Sequence, residues 1–271
     1  NASTWAFQGR YHIGPPLGRR CAKRVKGDCY VLTQSGLFSL NTAMASTNSS
    51  LIPGFTDAIA PTFREYASLT GSTYGWCVEL LEREKLLLVN VPQQAVGVFN
   101  QFAMNLDTGA WTKFSGWDAY DWAVVGSTLY FAGSQRVAKA WQPGGDFGNS
   151  ITAFARGAYD YLQPRSVNKQ VKMMRPNYTL GGAGVASFGL DVDFAVGSDY
   201  QNNASTGSSG SVWGTAIWDT STYATLPTPQ LTWQTVAAPP GYCFSSRLRF
   251  IGLDATFEWT ATDFLFETGA P

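Results

Sequence analysis

Histidine is almost missing from this chain: His12 is the only one in 271 residues. It lies in a Gly/Pro-rich opening, and no G-x-S-x-G elbow accompanies it, which argues against a Ser-His-Asp hydrolase. Cysteine is scarce as well. Cys21, Cys29, Cys77 and Cys243 stand far apart without a C-x-x-C pair, which argues against a zinc site. Each is read as a small buried apolar residue made in a reducing place; a Cys21 to Cys29 bridge is allowed but not required. Charge is thin too, with 19 basic residues against 19 acidic and 14% charged in all, about half the usual share. A surface so poor in charge either faces other protein or is dressed in the plentiful Ser, Thr, Asn and Gln. No apolar run approaches the roughly 20 residues of a membrane span, and nothing at the start resembles a signal peptide. The chain opens at Asn1 without a methionine and its first clear hairpin comes late, so it reads as a piece of something longer, short of N-terminal blades.

What is abundant is turn and aromatic chemistry. Hydrophobic residues reach 45% and aromatics 14%, with 28 glycines and 13 prolines, the profile of a well-buried all-β protein. The most informative stretch is 97–141. Two alternating strands meet at Asp107-Thr108-Gly109, a tryptophan follows each turn region, and a second hairpin repeats the plan through Val125-Gly126-Ser127-Thr128-Leu129. Strand, Asp/Gly turn, aromatic, strand is the order of β-propeller blades, which come in series because one blade cannot bury its own faces.

Upstream, Gly27 to Leu40 reads as a hairpin with a Ser35-Gly36 turn, residues 41–53 as a loop, and Thr56 to Tyr66 as a helix with Pro61 in its first turn. Tyr74 to Leu80 and Lys85 to Pro92 flank a charged Glu82-Arg83-Glu84 turn. They read as the inner strands of a blade that Gln101 to Leu106 and Trp111 to Phe114 complete. Residues 142–150 are a turn-rich junction, which divides the chain into propeller blades over 1–149 and a β-sandwich or jelly-roll-like domain over 150–271. That second domain is assigned strands at 151–162, 167–178, 185–196, 232–237, 243–251 and 257–267, which alternatively supply closing strands to the propeller. Within it, Phe188 to Val196 alternates cleanly, as a strand with one wet face does. Gly181-Gly182-Ala183-Gly184 lacks the Lys-Ser/Thr of a phosphate cradle and reads as a flexible hairpin turn; the Ser/Gly/Asn-rich stretch 201–211 reads as a mobile hairpin tip.

Few residues carry chemistry. Arg19, Arg20, Lys23, Arg24 and Lys26 put five cations in eight positions, a contact for nucleic acid or another anionic partner, or else a solvated loop. Glu79, Asp107, Asp118, Asp121, Asp191 and Asp193 are the carboxylates that a propeller glycosidase would draw on. Asp191 and Asp193 share a strand face, either as a calcium or acid/base pair or as plain solvent-facing residues. The segment Asn105 to Trp111 is close to the Asp-box of sialidase blades, but its tryptophan comes one residue early and Asn105 replaces Ser/Thr. Such a box shapes a turn rather than a reaction. Trp213, Trp218 and Tyr223 suit stacking on sugars or bases, or packing at an interface. No catalytic, cofactor or metal residue is assigned.

Three segments, Gly27 to Asn41, Asn100 to Trp141 and Ser245 to Pro271, together resemble the tail nozzle and tail hub proteins of short-tailed bacteriophages, also known as packaged-DNA stabilisation proteins. The likeness covers most of the chain and is architectural, without a catalytic motif behind it. It implies a β-propeller with an added β domain, assembled as a homo-oligomeric ring, usually of six copies, in the virion below the portal and adaptor. Such a ring contacts adaptor and fibre or needle proteins. It keeps packaged double-stranded DNA inside and lets it pass at ejection without sequence-specific binding, and the protein is made in the bacterial host cytoplasm. It implies no enzyme and no cofactor. Family members usually run longer. The rival reading is a propeller-fold glycan-binding or glycosidase module for host attachment.

Overall fold

The computed structural model describes residues 13–46, 54–140, 145, 148–197, 200–203, 228–230 and 232–269. Antiparallel strands dominate it, with two short α-helices and one 3-10 turn among the described residues, so the chain is all-β. It forms two compact units, Asn1–Trp141 and Gln142–Pro271, and the chain passes from one to the other at the start of the turn-rich stretch.

The first unit holds three antiparallel meanders in chain order. They are β1 (Ala22–Val25), β2 (Asp28–Thr33) and β3 (Gly36–Ser39); then β4 (Cys77–Leu81), β5 (Leu86–Pro92), β6 (Phe99–Asn105) and β7 (Trp111–Ser115); then β8 (Asp121–Val125), β9 (Thr128–Gly133) and β10 (Arg136–Lys139). Only the middle sheet has the four strands of a blade, and none of the sheets closes on itself among the described residues. Where a loop is expected at 41–53, α1 (Leu40–Ala45) forms instead, because the Ser39 hydroxyl accepts the Thr42 amide as an N-cap. The helix expected from Thr56 begins later: Asp57–Ile59 is a 3-10 turn, and α2 (Ala60–Thr70) follows with Pro61 in its first turn. Phe63, Ala67 and Thr70 fall on its buried stripe.

Every residue of β4 is buried, as are β5 after Leu86 and β6 before Asn105. Successive side chains point to opposite faces, so this sheet is covered on both. On one side Val78, Leu80, Leu87, Val89, Val91 and Phe102 share a core with Val25, Leu32 and Leu37 of the first sheet and Phe63 of α2. On the other, Cys77, Leu81, Leu88 and Ala103 meet Trp122, Leu129, Phe131 and Ala138 of the third. The sheets therefore stack face to face in chain order, and each fully buried Leu, Val or Phe contributes about 1.5–3 kcal/mol. Asn90 is buried in the second interface, where its amide donates to Gly75 O and Ala119 O at 2.8 Å each and accepts from Gln101 Nε2 at 2.9 Å. At the 107–109 turn the Asn105 side chain does the shaping, accepting the Asp107 and Thr108 amides at 2.9 and 3.1 Å. Trp111 ties the turn region down by donating from Nε1 to Phe55 O.

In the second unit four of the six expected strands merge pairwise, 167–178 with 185–196 and 243–251 with 257–267, while those at 151–162 and 232–237 are shorter. The elements are β11 (Ile151–Arg156), β12 (Lys169–Val192), β13 (Gln201–Asn203), β14 (Thr228–Gln230), β15 (Gln234–Thr235) and β16 (Phe244–Thr268). β12 and β16 pair along nearly their whole lengths, and register shifts interrupt the ladder at Val171/Met173, Asn177/Tyr178 and Gly181/Ala183. Tyr178 and Phe188, ten residues apart on one strand, would lie about 33 Å apart if it were straight. Their ring centroids are 5.2 Å apart, and Val171 and Val192 share one apolar cluster. The long hairpin is therefore folded over on itself, with β11 and β13 extending one layer and β14 and β15 the other. Tyr178, Leu180, Phe188, Leu248 and Phe250 fill the space between.

Two expectations are corrected here. Gly181 to Gly184 is not a hairpin turn but the bend in a continuous strand, where Gly182 takes φ +81° and a Cβ on Gly184 would lie 2.7 Å from the Phe250 ring. The two layers are halves of one bent sheet. Nor does the strand have a wet face at 188–192, where Asp191 is buried nearly as fully as Phe188; β12 ends at Val192, and 193–196 are an exposed loop.

Gly18 is the tightest backbone approach in the first unit. It sits at φ +76°, and a Cβ there would come 2.0 Å from Trp76 O. Gly18→Ala is expected to cost about 2–4 kcal/mol; an unchanged urea midpoint would refute this packing.

Candidate functional site

The basic cluster does not form one patch. Arg20 donates to Asp121 Oδ1 at 2.9 Å and to Trp122 O at 2.6 Å, pinning the entry of β1 to β8. Lys23 pairs with Glu79, a carboxylate only 9% exposed. Arg19, Arg24 and Lys26 are exposed, with Lys26 in a turn at φ 53°. Lys23 and Arg24 line a cleft of about 550 Å³ with Leu81, Arg83, Val124 and Ser127, and Glu82 offsets part of its positive charge. Of the five cations, Arg20 and Lys23 are held by carboxylates on other strands, and Arg19, Arg24 and Lys26 are exposed.

The candidate carboxylates are likewise engaged. Asp107 accepts Lys85 Nζ at 2.7 Å, an exposed pair of small energetic weight. Burial works against ionisation of Asp118, but the Ser134 amide and Arg136 outweigh it and hold the carboxyl below the ordinary range. Burial, helped by the negative charges of Asp121 and Glu79, pushes the Cys77 thiol up to about 12. All four cysteines are free. Among the described residues no three His, Cys, Asp or Glu side chains converge as a metal site would require. His12, Trp213, Trp218 and Tyr223 lie outside the described residues.

The densest charged cluster was not foreseen. Asp191, expected at the surface beside Asp193, has a fully buried side chain. Its Oδ1 meets Arg247 Nε at 2.9 Å and accepts the Gly197 amide at 3.0 Å, while Oδ2 meets Arg156 Nε at 3.1 Å. Arg247 is 5% exposed and also donates to Gly197 O. Asp193 has a different task, accepting the Tyr242 and Cys243 amides at 2.8 and 3.0 Å. Arg249 lies on the same face as Arg247, forms no ion pair among the described residues, and has a buried Nε without a hydrogen-bond partner there. The guanidiniums of Arg247 and Arg249 lie 4.5 and 5.0 Å from the Tyr200 ring centroid. Two guanidiniums thus share one carboxylate, with a third beside them on the same face. The signal was legible in the Arg-Leu-Arg alternation at 247–249, which puts two cations on one strand face.

No protein-family model and no curated protein sequence matches this chain.

Replacing Asp191 by Asn keeps the shape but leaves Arg247 a buried cation without a counter-charge, so D191N should lose about 3–5 kcal/mol, whereas D193N should lose less; equal losses in denaturant melts would contradict the assignment. The Arg175 guanidinium, with Nε and Nη2 on Asp263 Oδ2 at 3.0 and 2.7 Å, holds the Asp263 carboxyl below its ordinary value. A depressed folded-state value means that the pair stabilises fully above the unfolded carboxylate range near pH ~4 and is lost as pH falls through the lower folded value. D263N should therefore show a shallower loss of stability between pH 6 and 3 than the parent.

Proposed function

We propose that this chain is a structural protein of a bacteriophage tail, part of a nozzle or hub ring that retains packaged DNA and conducts it at ejection. The sheets of the first unit act as propeller blades, and the ring, of six copies by the likeness above, meets adaptor and fibre or needle proteins. One observation carries the reading. The inner face of the β8–β10 sheet, with Trp122, Leu129, Phe131 and Ala138, packs on the middle sheet. Its outer face, by the register of the strands, presents Ala123, Val125, Tyr130, Ala132 and Val137, with Asp121, Thr128 and Lys139 beside them. Val125 is 67% and Val137 77% exposed. A stack of sheets that ends, among the described residues, on a largely apolar exposed face is suited to receive another sheet, from further blades or from a neighbouring copy.

Charge supports the same role. Arg20, Lys23, Lys85 and Arg136 are each held by a carboxylate of the same unit. Every free cation on phosphate adds affinity, and a conduit for DNA needs little of it.

Light scattering and negative-stain imaging of the full-length protein, alone and with purified tail components, should show closed rings or rings formed on tails. A stable monomer that ignores tails and binds or cleaves bacterial glycans would overturn the proposal. Val125→Glu with Val137→Glu should weaken assembly at least tenfold while leaving the monomer's melting curve intact.

A further inference from the structure

We propose that the open edge of β11 is a docking site for an extended acidic segment of a protein partner, which adds to the sheet as a further strand. This stands apart from the ring reading and needs only the second unit. β11 is at the end of its sheet, and β16 is its one strand partner among the described residues. All six of its residues are exposed, including Ile151 at 50% and Phe154 at 68%. Natural edge strands are normally short, charged, bulged or covered. This one is six residues of Ile-Thr-Ala-Phe-Ala-Arg, with no proline, and its single charge, Arg156, is tied to Asp191. An uncovered row of amides and carbonyls beside apolar side chains is what strand addition uses.

The charge of the face selects the occupant. Register pairs Phe154 with Arg249 and Arg156 with Arg247, so these four side chains lie on one face of the layer. Asp191 pairs with Arg156 and Arg247, and Arg249 has neither an ion pair nor a partner for its buried Nε among the described residues. The face keeps an excess of positive charge. A strand laid antiparallel along β11 places one residue opposite Arg156 and another, two positions on, opposite Phe154. A carboxylate suits the first place and a β-branched or aromatic side chain the second. Cross-strand pairing and backbone bonds then act together, the ladder giving affinity and the Arg156 and Phe154 positions giving selectivity.

The test uses the full chain and three labelled twelve-residue peptides, read by fluorescence anisotropy: one alternating threonine and valine with glutamate at every fourth place, its lysine counterpart, and the glutamate peptide N-methylated at alternate amides. The glutamate peptide should bind at least tenfold more tightly than either of the others. Arg156→Gln should lower its affinity at least fivefold, with the urea midpoint of the variant reported beside it. Equal binding of all three peptides would overturn the proposal without any variant. So would tighter binding of a single-stranded oligonucleotide of the same charge, which would assign the face to nucleic acid, or a peptide-insensitive dimer lost in Arg156→Gln, which would assign the edge to a second copy.

Discussion

Strands covered on both faces leave no wet side on which to place polar residues, and much of this molecule follows from how that constraint is met. In the first unit it falls on the middle sheet, where Asn90 and Gln101 are buried and resolve it by bonding to each other and to the carbonyls of Gly75, Ala119 and Trp117. In the second it falls on the paired halves of β12 and β16, where Ser187, Asp191, Ser245 and Arg247 are buried. There the solution is ionic. A buried carboxylate costs several kcal/mol unless a cation and further donors surround it, and Asp191 has two guanidiniums and one amide. Lys169, also fully buried, donates to Pro164 O and Val167 O. These polar contacts add directional requirements that apolar packing lacks, and each fixes which segment lies over which strand.

The two units bury their sheets by different routes. The first stacks separate meanders, so each interface is formed by side chains from sheets distant along the chain. The second bends two long strands and packs a sheet against itself, with glycines at the fold where any side chain would strike Phe250 or Ala255. Bending has a consequence for the edges. One layer gains β11 as an outer strand, and β11 is left exposed along its whole length.

Cations are also spent differently. In the first unit Arg20 and Lys23 join β1 to β8 and β4, so two cations of the basic run act as fasteners while Arg19, Arg24 and Lys26 stay exposed. In the second, Arg156 and Arg247 share the Asp191 carboxylate, while Arg249 on the same face has no ion pair among the described residues. A neutral chain therefore carries a local excess where a protein partner could use it, and little along the paired cations of the first unit.

Composition and alternation by themselves determined the all-β class, the meander from Cys77 to Ser115, the hairpin from Asp121 to Gly133 and the proline-started α2, because turn residues and a two-residue period are local properties that neighbouring elements do not alter. The cap at Ser39 was equally local but hidden, since Asn41 to Ala45 has loop-like composition until one hydroxyl finds an amide. Only the tertiary structure decided whether Gly181 to Gly184 turns or bends, for a glycine permits both and the choice belongs to the partner strand opposite it. It alone decided that Asp191 is buried while Asp193 caps a loop, although the two sit at equivalent places in the alternation. The difference comes from Arg247 and Arg156, more than thirty residues away on either side, which supply the counter-charge that makes burial of one carboxylate affordable.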